Sequence, residues 1–96
     1  MIIAQVVGAA VASLKLDALQ ASKLLVVQQA DARGNAGGPA FLAVDLVGAG
    51  EGELVIVSQG SSARMATGNE RAPVDAAIIG ILDSVRFCGE QTFTKR

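Results

Sequence analysis

The chain has no histidine, tryptophan or tyrosine, only one cysteine, and phenylalanine as its sole aromatic residue type, at Phe41, Phe87 and Phe93. Without histidine or a cluster of cysteines, the usual donor sets for zinc, the Ser-His-Asp and Cys-His nucleophile pairs and the commonest general base are all excluded. No catalytic residue, metal ligand or cofactor-binding residue is therefore expected, and the chain is read as a non-enzyme. The single Cys88 cannot form an internal disulfide and suits a reducing compartment. With no histidine to activate it, it is expected to be a small buried hydrophobe.

Charge is also scarce. Eight basic and nine acidic residues are scattered along the chain, and Lys95-Arg96 is the only adjacent basic pair. A protein that tracks nucleic-acid phosphates needs clustered cations, and a single-strand binder adds stacking platforms. Neither is present, so no nucleic-acid partner is expected. No apolar run approaches the roughly 18 residues of a membrane helix, so no membrane partner is expected. Residues 1–12 imitate a signal peptide through Ala10-Val11-Ala12, but they lack a basic n-region and Gln5 interrupts the apolar stretch. The expectation is a cytosolic protein.

What the chain does have is aliphatic matter. Half of its 96 residues are apolar, enough for one domain of the usual size of about 50–200 residues. Residues 1–96 are read as that single domain, with surplus apolar surface left for subunit contacts.

Strand signals recur at short spacing. Residues 2–7 and 9–16 read as one bent strand or two short ones, with Gly8 as a bulge. Residues 17–22 read as a connector, and 23–29 as the next strand. The glycine-rich 31–39 segment reads as a flexible surface loop. Strands are expected at 41–47 and 54–58, joined as a hairpin-like pair across the Gly48, Gly50 and Gly52 turn. Residues 61–66 suit one or two helical turns, with Ser61 or Ser62 as N-cap. Residues 67–72 read as irregular. A tight turn at Pro73, with Asp75 bonding backbone amides, would lead into a strand at 76–82, and 91–94 is β-prone. Short strands without a long helical period point to an all-β fold, and a small closed barrel would remove the edges that such aliphatic strands otherwise expose.

The polar clusters are modest. Gly48, Gly50 and Gly52 look like a phosphate cradle, but Glu53 stands where a dinucleotide fingerprint needs a third glycine, and no P-loop lysine follows. They are read as structural turn residues that permit positive φ. Glu51 and Glu53 are read as solvated turn carboxylates, or as acceptors of turn amides. Ser61-Ser62-Ala63-Arg64 is the other cluster, a weak anion site or a turn capped by serine whose arginine reaches a carboxylate or carbonyl across a subunit contact.

Taken in order, Gly48-Ala49-Gly50-Glu51-Gly52-Glu53, the strand 54–58, Gly60-Ser61-Ser62-Ala63-Arg64 and Pro73-Val74-Asp75-Ala76-Ala77-Ile78-Ile79-Gly80-Ile81-Leu82-Asp83 closely resemble the bacterial microcompartment vertex proteins of EutN/CcmL type. Val6-Val7-Gly8 and Lys23-Leu24-Leu25-Val26-Val27 extend the likeness, while 31–40 and the tail from Arg86 depart from it. The resemblance implies a five-stranded OB-like barrel, assembled as a cyclic homopentamer that caps the vertices of a polyhedral shell in the bacterial cytoplasm. Its partners would be hexameric shell proteins. Gly60, Ser61, Ser62 and Arg64 would then lie at the axial pore or a subunit interface, with Gly48, Gly50, Gly52 and Glu53 setting the adjoining turn. The alternative is a monomeric OB-type ligand-binding module.

Overall fold

The computed structural model describes residues 1–11, 23–68 and 74–95. Among these described residues, seven strands and one helix follow in chain order: β1 (Ile2–Ala10), β2 (Lys23–Ala30), β3 (Ala36–Asp45), β4 (Leu54–Gln59), α1 (Ser61–Ala66), β5 (Ala76–Ile81), β6 (Ser84–Phe87) and β7 (Glu90–Thr94). The first five strands close into a barrel in the order β1-β2-β3-β5-β4, and β6 and β7 form a separate hairpin. This is the small closed barrel expected. The readings at 12–22 and 69–73 fall outside the described residues.

Alternation builds the core. Leu25 and Val27 of β2 point inward to meet Ala4, Val6, Val55, Val57 and Ile78. Their neighbours of opposite parity face out, and α1 covers part of that outer surface: Ala63 packs with Val44, Val74 and Ala77, flanked by Leu24 and Ile79. In β1 the register with β2 slips between Val6 and Gly8, so Gly8 sits at the expected bulge.

Three expectations are corrected. The 31–39 segment is not a loop throughout. Asp31 Oδ1 accepts the amides of Arg33 (2.9 Å) and Asn35 (3.0 Å), closing a compact turn, and β3 already begins at Ala36. Gly37, Gly38 and Pro39 together oppose Gln29, because Gln28 pairs with Ala40 and Ala30 with Ala36. Gln28 Nε2 donates to the Gly38 carbonyl that this wide bulge frees (2.5 Å). Secondly, 41–47 and 54–58 are not a hairpin: β5 stands between β3 and β4, parallel to the former and antiparallel to the latter. Thirdly, Cys88 is exposed, not buried. With Gly89 it forms the two-residue turn between Phe87 and Glu90, both residues at positive φ (54° and 79°), the geometry of a type I′ hairpin turn.

The β6–β7 hairpin is held to the barrel from two sides. Gly34 lies so close to the Phe93 ring that an added Cβ would stand 3.0 Å from Cδ1, and Thr92 Oγ1 donates to the Ala32 carbonyl. On the other side, Lys95 Nζ lies 2.8 Å from Glu53 Oε2.

Candidate assembly site

The two clusters singled out in the sequence occupy opposite ends of β4. The glycine turn leads into Leu54 and Gly60 follows Gln59, a separation of about 17 Å at the usual rise of roughly 3.3 Å per residue. Within one chain they therefore form two separate sites.

At the first end, Asp45 organises the turn. Its Oδ1 accepts the amides of Val47 (3.1 Å), Gly48 (3.1 Å) and Ala49 (3.2 Å), and Ala49 is driven into the barrel core. Gly48 and Gly52 adopt positive φ, 77° and 88°, as expected of turn glycines. Gly50 does not: it is outside the left-handed region, and an added Cβ would make an ordinary 3.5 Å contact with Glu53 Oε1. That oxygen instead accepts the Gly50 amide (2.6 Å), while Gly52 N–H donates to Val6 O (2.8 Å) and Val6 N–H to Glu53 O (3.0 Å). Glu53 is thus the carboxylate that takes a turn amide, and Glu51 stays exposed. The Lys95 ammonium first, and the Gly50 amide second, hold the Glu53 carboxyl below its usual range. The same pairing raises Lys95.

At the second end, α1 begins without the serine cap predicted for it. Gly60 is the N-cap, at φ 63° and ψ −136°, and no side chain caps the helix. Backbone groups serve instead: Gly60 N–H donates to Asp75 O (2.8 Å) and Gly60 O accepts from Ala63 N–H (3.1 Å). Asp75 therefore acts here through its carbonyl. Ser61 and Ser62 are left exposed. Arg64 is half-buried, its Nη1 reaching the Val74 carbonyl of its own chain at 3.5 Å, the long limit of a hydrogen bond.

Among the described residues no group of three or more carboxylates and cysteines is placed to hold a metal ion, and no helix is long and apolar enough to cross a membrane. What remains is surface. Leu42, Leu46, Val47, Met65 and Phe87 are exposed, and an open cleft of about 510 Å³, mostly apolar, runs between the outer face of β1 and β4 and the wall of β6. Two residues important to this architecture escape sequence reading. Asp45 had a usable signal, an aspartate directly before a glycine-punctuated turn. The Glu53–Lys95 contact had none, since it joins distant parts of the chain.

Comparison with known proteins agrees with this architecture. The family model for ethanolamine utilisation protein EutN/carboxysome matches residues 1–83. The bacterial microcompartment shell vertex protein EutN of Salmonella typhimurium is 43% identical over 95 residues, covering 99% of this chain and 96% of that protein. The carboxysome shell vertex protein CcmL of Synechococcus elongatus is 43% identical over 96 residues, covering 100% and 97%. The solved structure of the GrpN pentameric microcompartment shell protein from Rhodospirillum rubrum superposes with a TM-score of 0.81 at 41% identity, covering 91% of this chain and 99% of that one. Barrel, turn motifs and relatives agree over nearly the whole length, and the chain belongs to the EutN/CcmL family.

Proposed function

We propose that this protein is a structural shell component that assembles as a homopentamer and closes the vertices of a bacterial microcompartment, with hexameric shell proteins as its neighbours in the bacterial cytoplasm. The observation that carries the reading is near-full-length similarity to named shell vertex proteins, one of them described as pentameric. The physical case is geometric. Flat hexagonal tiles pave a plane, and a closed polyhedron requires five-fold corners. One heterologous contact, repeated until the rotation closes, makes such a corner from identical chains. Shape does the work, which accords with a chain so poor in catalytic side chains.

The test has two readouts. Native mass spectrometry should give five times the 9.7 kDa chain mass. Co-expression with hexamer-forming shell tiles should give closed particles by electron microscopy, where the tiles alone give sheets or tubes. A monomer that leaves tile assemblies open would refute the proposal.

A further inference from the structure

The β6–β7 hairpin is fastened to the barrel at a few points and not along its length. Among the described residues no ladder joins either strand to a barrel strand, and the two form a sheet of their own. The last barrel bond before the hairpin runs from Leu82 N–H to Leu54 O (2.9 Å), and Lys95 N–H donates to Asp83 O (2.7 Å) to close the hairpin at its base. Open space flanks both strands. The cleft of about 510 Å³ lies along Ser84, Val85 and Arg86, and a second opening of about 380 Å³ separates Phe93, Thr94 and Lys95 from the 51–54 segment. Three contacts hold the hairpin down: Thr92 Oγ1 on the Ala32 carbonyl, the Phe93 ring against Gly34, and Lys95 Nζ 2.8 Å from Glu53 Oε2. Arg33 and Glu90 stand 4.0 Å apart with both side chains well exposed, a pair that contributes little. In the barrel β1 lies between β2 and β4. A hairpin that departs beside β4 and is fastened to the turn after β2 therefore reaches across β1, and Ile3 and Ile56 stay half-buried on the floor of the cleft beside it.

We propose that the β6–β7 hairpin is a strap that opens off the barrel as one unit, turning about Leu82 and Asp83, with Lys95 on Glu53 as its latch. Sparse apolar anchorage is what lets a segment open without the rest of a domain. A lone two-stranded hairpin is marginal in water, so once released the strap melts, and its amides exchange with solvent while the barrel stays closed. Glu53 makes a firm catch because its other oxygen, Oε1, already holds the Gly50 amide (2.6 Å), which fixes the carboxylate where Lys95 returns to it. Opening removes the cover over β1 and bares Ile3 and Ile56 as a continuous aliphatic surface, since the two pair across the β1–β4 seam. The inference goes beyond the vertex reading and holds for any number of chains in the assembly.

Hydrogen–deuterium exchange of the full chain in its native assembly, read by mass spectrometry of peptic fragments, tests this. Fragments from 84–95 should exchange together, and faster than those from β2 and β4. Lys95→Met and Glu53→Gln should each speed the hairpin by about two- to fivefold, the range that an ion pair of this exposure supports, and leave β2 at its parent rate. Glu90→Gln removes the same charge from the weak pair and should change nothing. In a Cys88→Ser background, Gly34→Cys/Phe93→Cys places a staple across the anchor, because a Cβ at position 34 would stand 3.9 Å from Phe93 Cγ. Its oxidised form should exchange more slowly in the hairpin than the reduced form of the same variant, so that the strain of replacing Gly34 cancels. Hairpin exchange in step with β2 in the parent chain would overturn the strap. A hairpin rate unmoved by Lys95→Met and Glu53→Gln, or moved equally by Glu90→Gln, would overturn the latch.

Discussion

Replacing Gly60 by alanine isolates a backbone cost from every other. At φ 63° and ψ −136° the residue lies where an L side chain is strongly disfavoured, and such strain costs about 1–3 kcal/mol. An alanine Cβ there would meet nothing within 4 Å, so no clash contributes. Against the strain stands the lower entropy of the unfolded chain, worth roughly 0.4–1 kcal/mol. The net loss is about 1–2 kcal/mol, equivalent to roughly 5–15 °C in Tm for a domain of this size. The assay is urea unfolding followed by far-UV circular dichroism at one fixed protein concentration, because assembly makes apparent stability depend on concentration. The midpoint should fall with the slope unchanged. Gly50→Ala is the paired control: outside the left-handed region and with only an ordinary contact to Glu53, it should be neutral or stabilising by up to about 1 kcal/mol. Equal midpoints for the two variants would refute the reasoning.

Two further outcomes follow from the β6–β7 hairpin and the Lys95 that follows it. Because Glu53 titrates below its ordinary 4.5 and Lys95 above its ordinary 10.5, their mutual contribution is complete between those values. It is lost as pH falls through the lowered Glu53 value, and also as pH rises through the raised Lys95 value. The difference in urea midpoint between parent and Glu53→Gln should therefore be level across that window and shrink outside it; a difference undiminished in strong acid would refute the pairing. Cys88→Asn should raise the midpoint by the equivalent of a few tenths to about 1 kcal/mol, because asparagine tolerates the left-handed region better than most residues. A lower midpoint would mean that the thiol contributes a contact that outweighs its backbone strain.

Elements whose determinants are local were readable in the chain. The Gly8 bulge, the strand at Lys23–Ala30 and the helix at Ser61–Ala66 follow from a glycine between aliphatic runs, a Leu-Leu-Val-Val segment and a Ser-Ser start. The helix cap was misread because serine is the usual choice, whereas here the chain enters the helix through a conformation suited to glycine, and the bond that anchors it comes from Asp75, beyond the helix. Gly37, Gly38 and Pro39 carry turn chemistry, yet they lie within a strand as three residues opposite one. Position in β5 was readable, but not its neighbours: nothing local in Ala76–Ile81 announces that it will separate β3 from β4. The separation of the Gly48 and Gly60 clusters, by contrast, was legible, because the expected strand at 54–58 lies between them.

The parallel joint between β3 and β5 is short, Val44 with Ala77 and Asp45 with Ile78, and it bears on how the chain reaches its folded form. Without β5, the remaining pairings leave an open four-stranded sheet in the order β3-β2-β1-β4, whose two outer strands both lack a partner. β5 joins both, along much of β4 and at Val44 and Asp45 of β3, but only after all of β4 and α1 has been made and its loop-closure entropy met. Closure is therefore a late event. Until it occurs, each chain carries two unpaired margins open to edge-to-edge pairing. The rate at which β5 enters its slot thus sets how long newly made chains can join edge to edge before they meet as finished barrels.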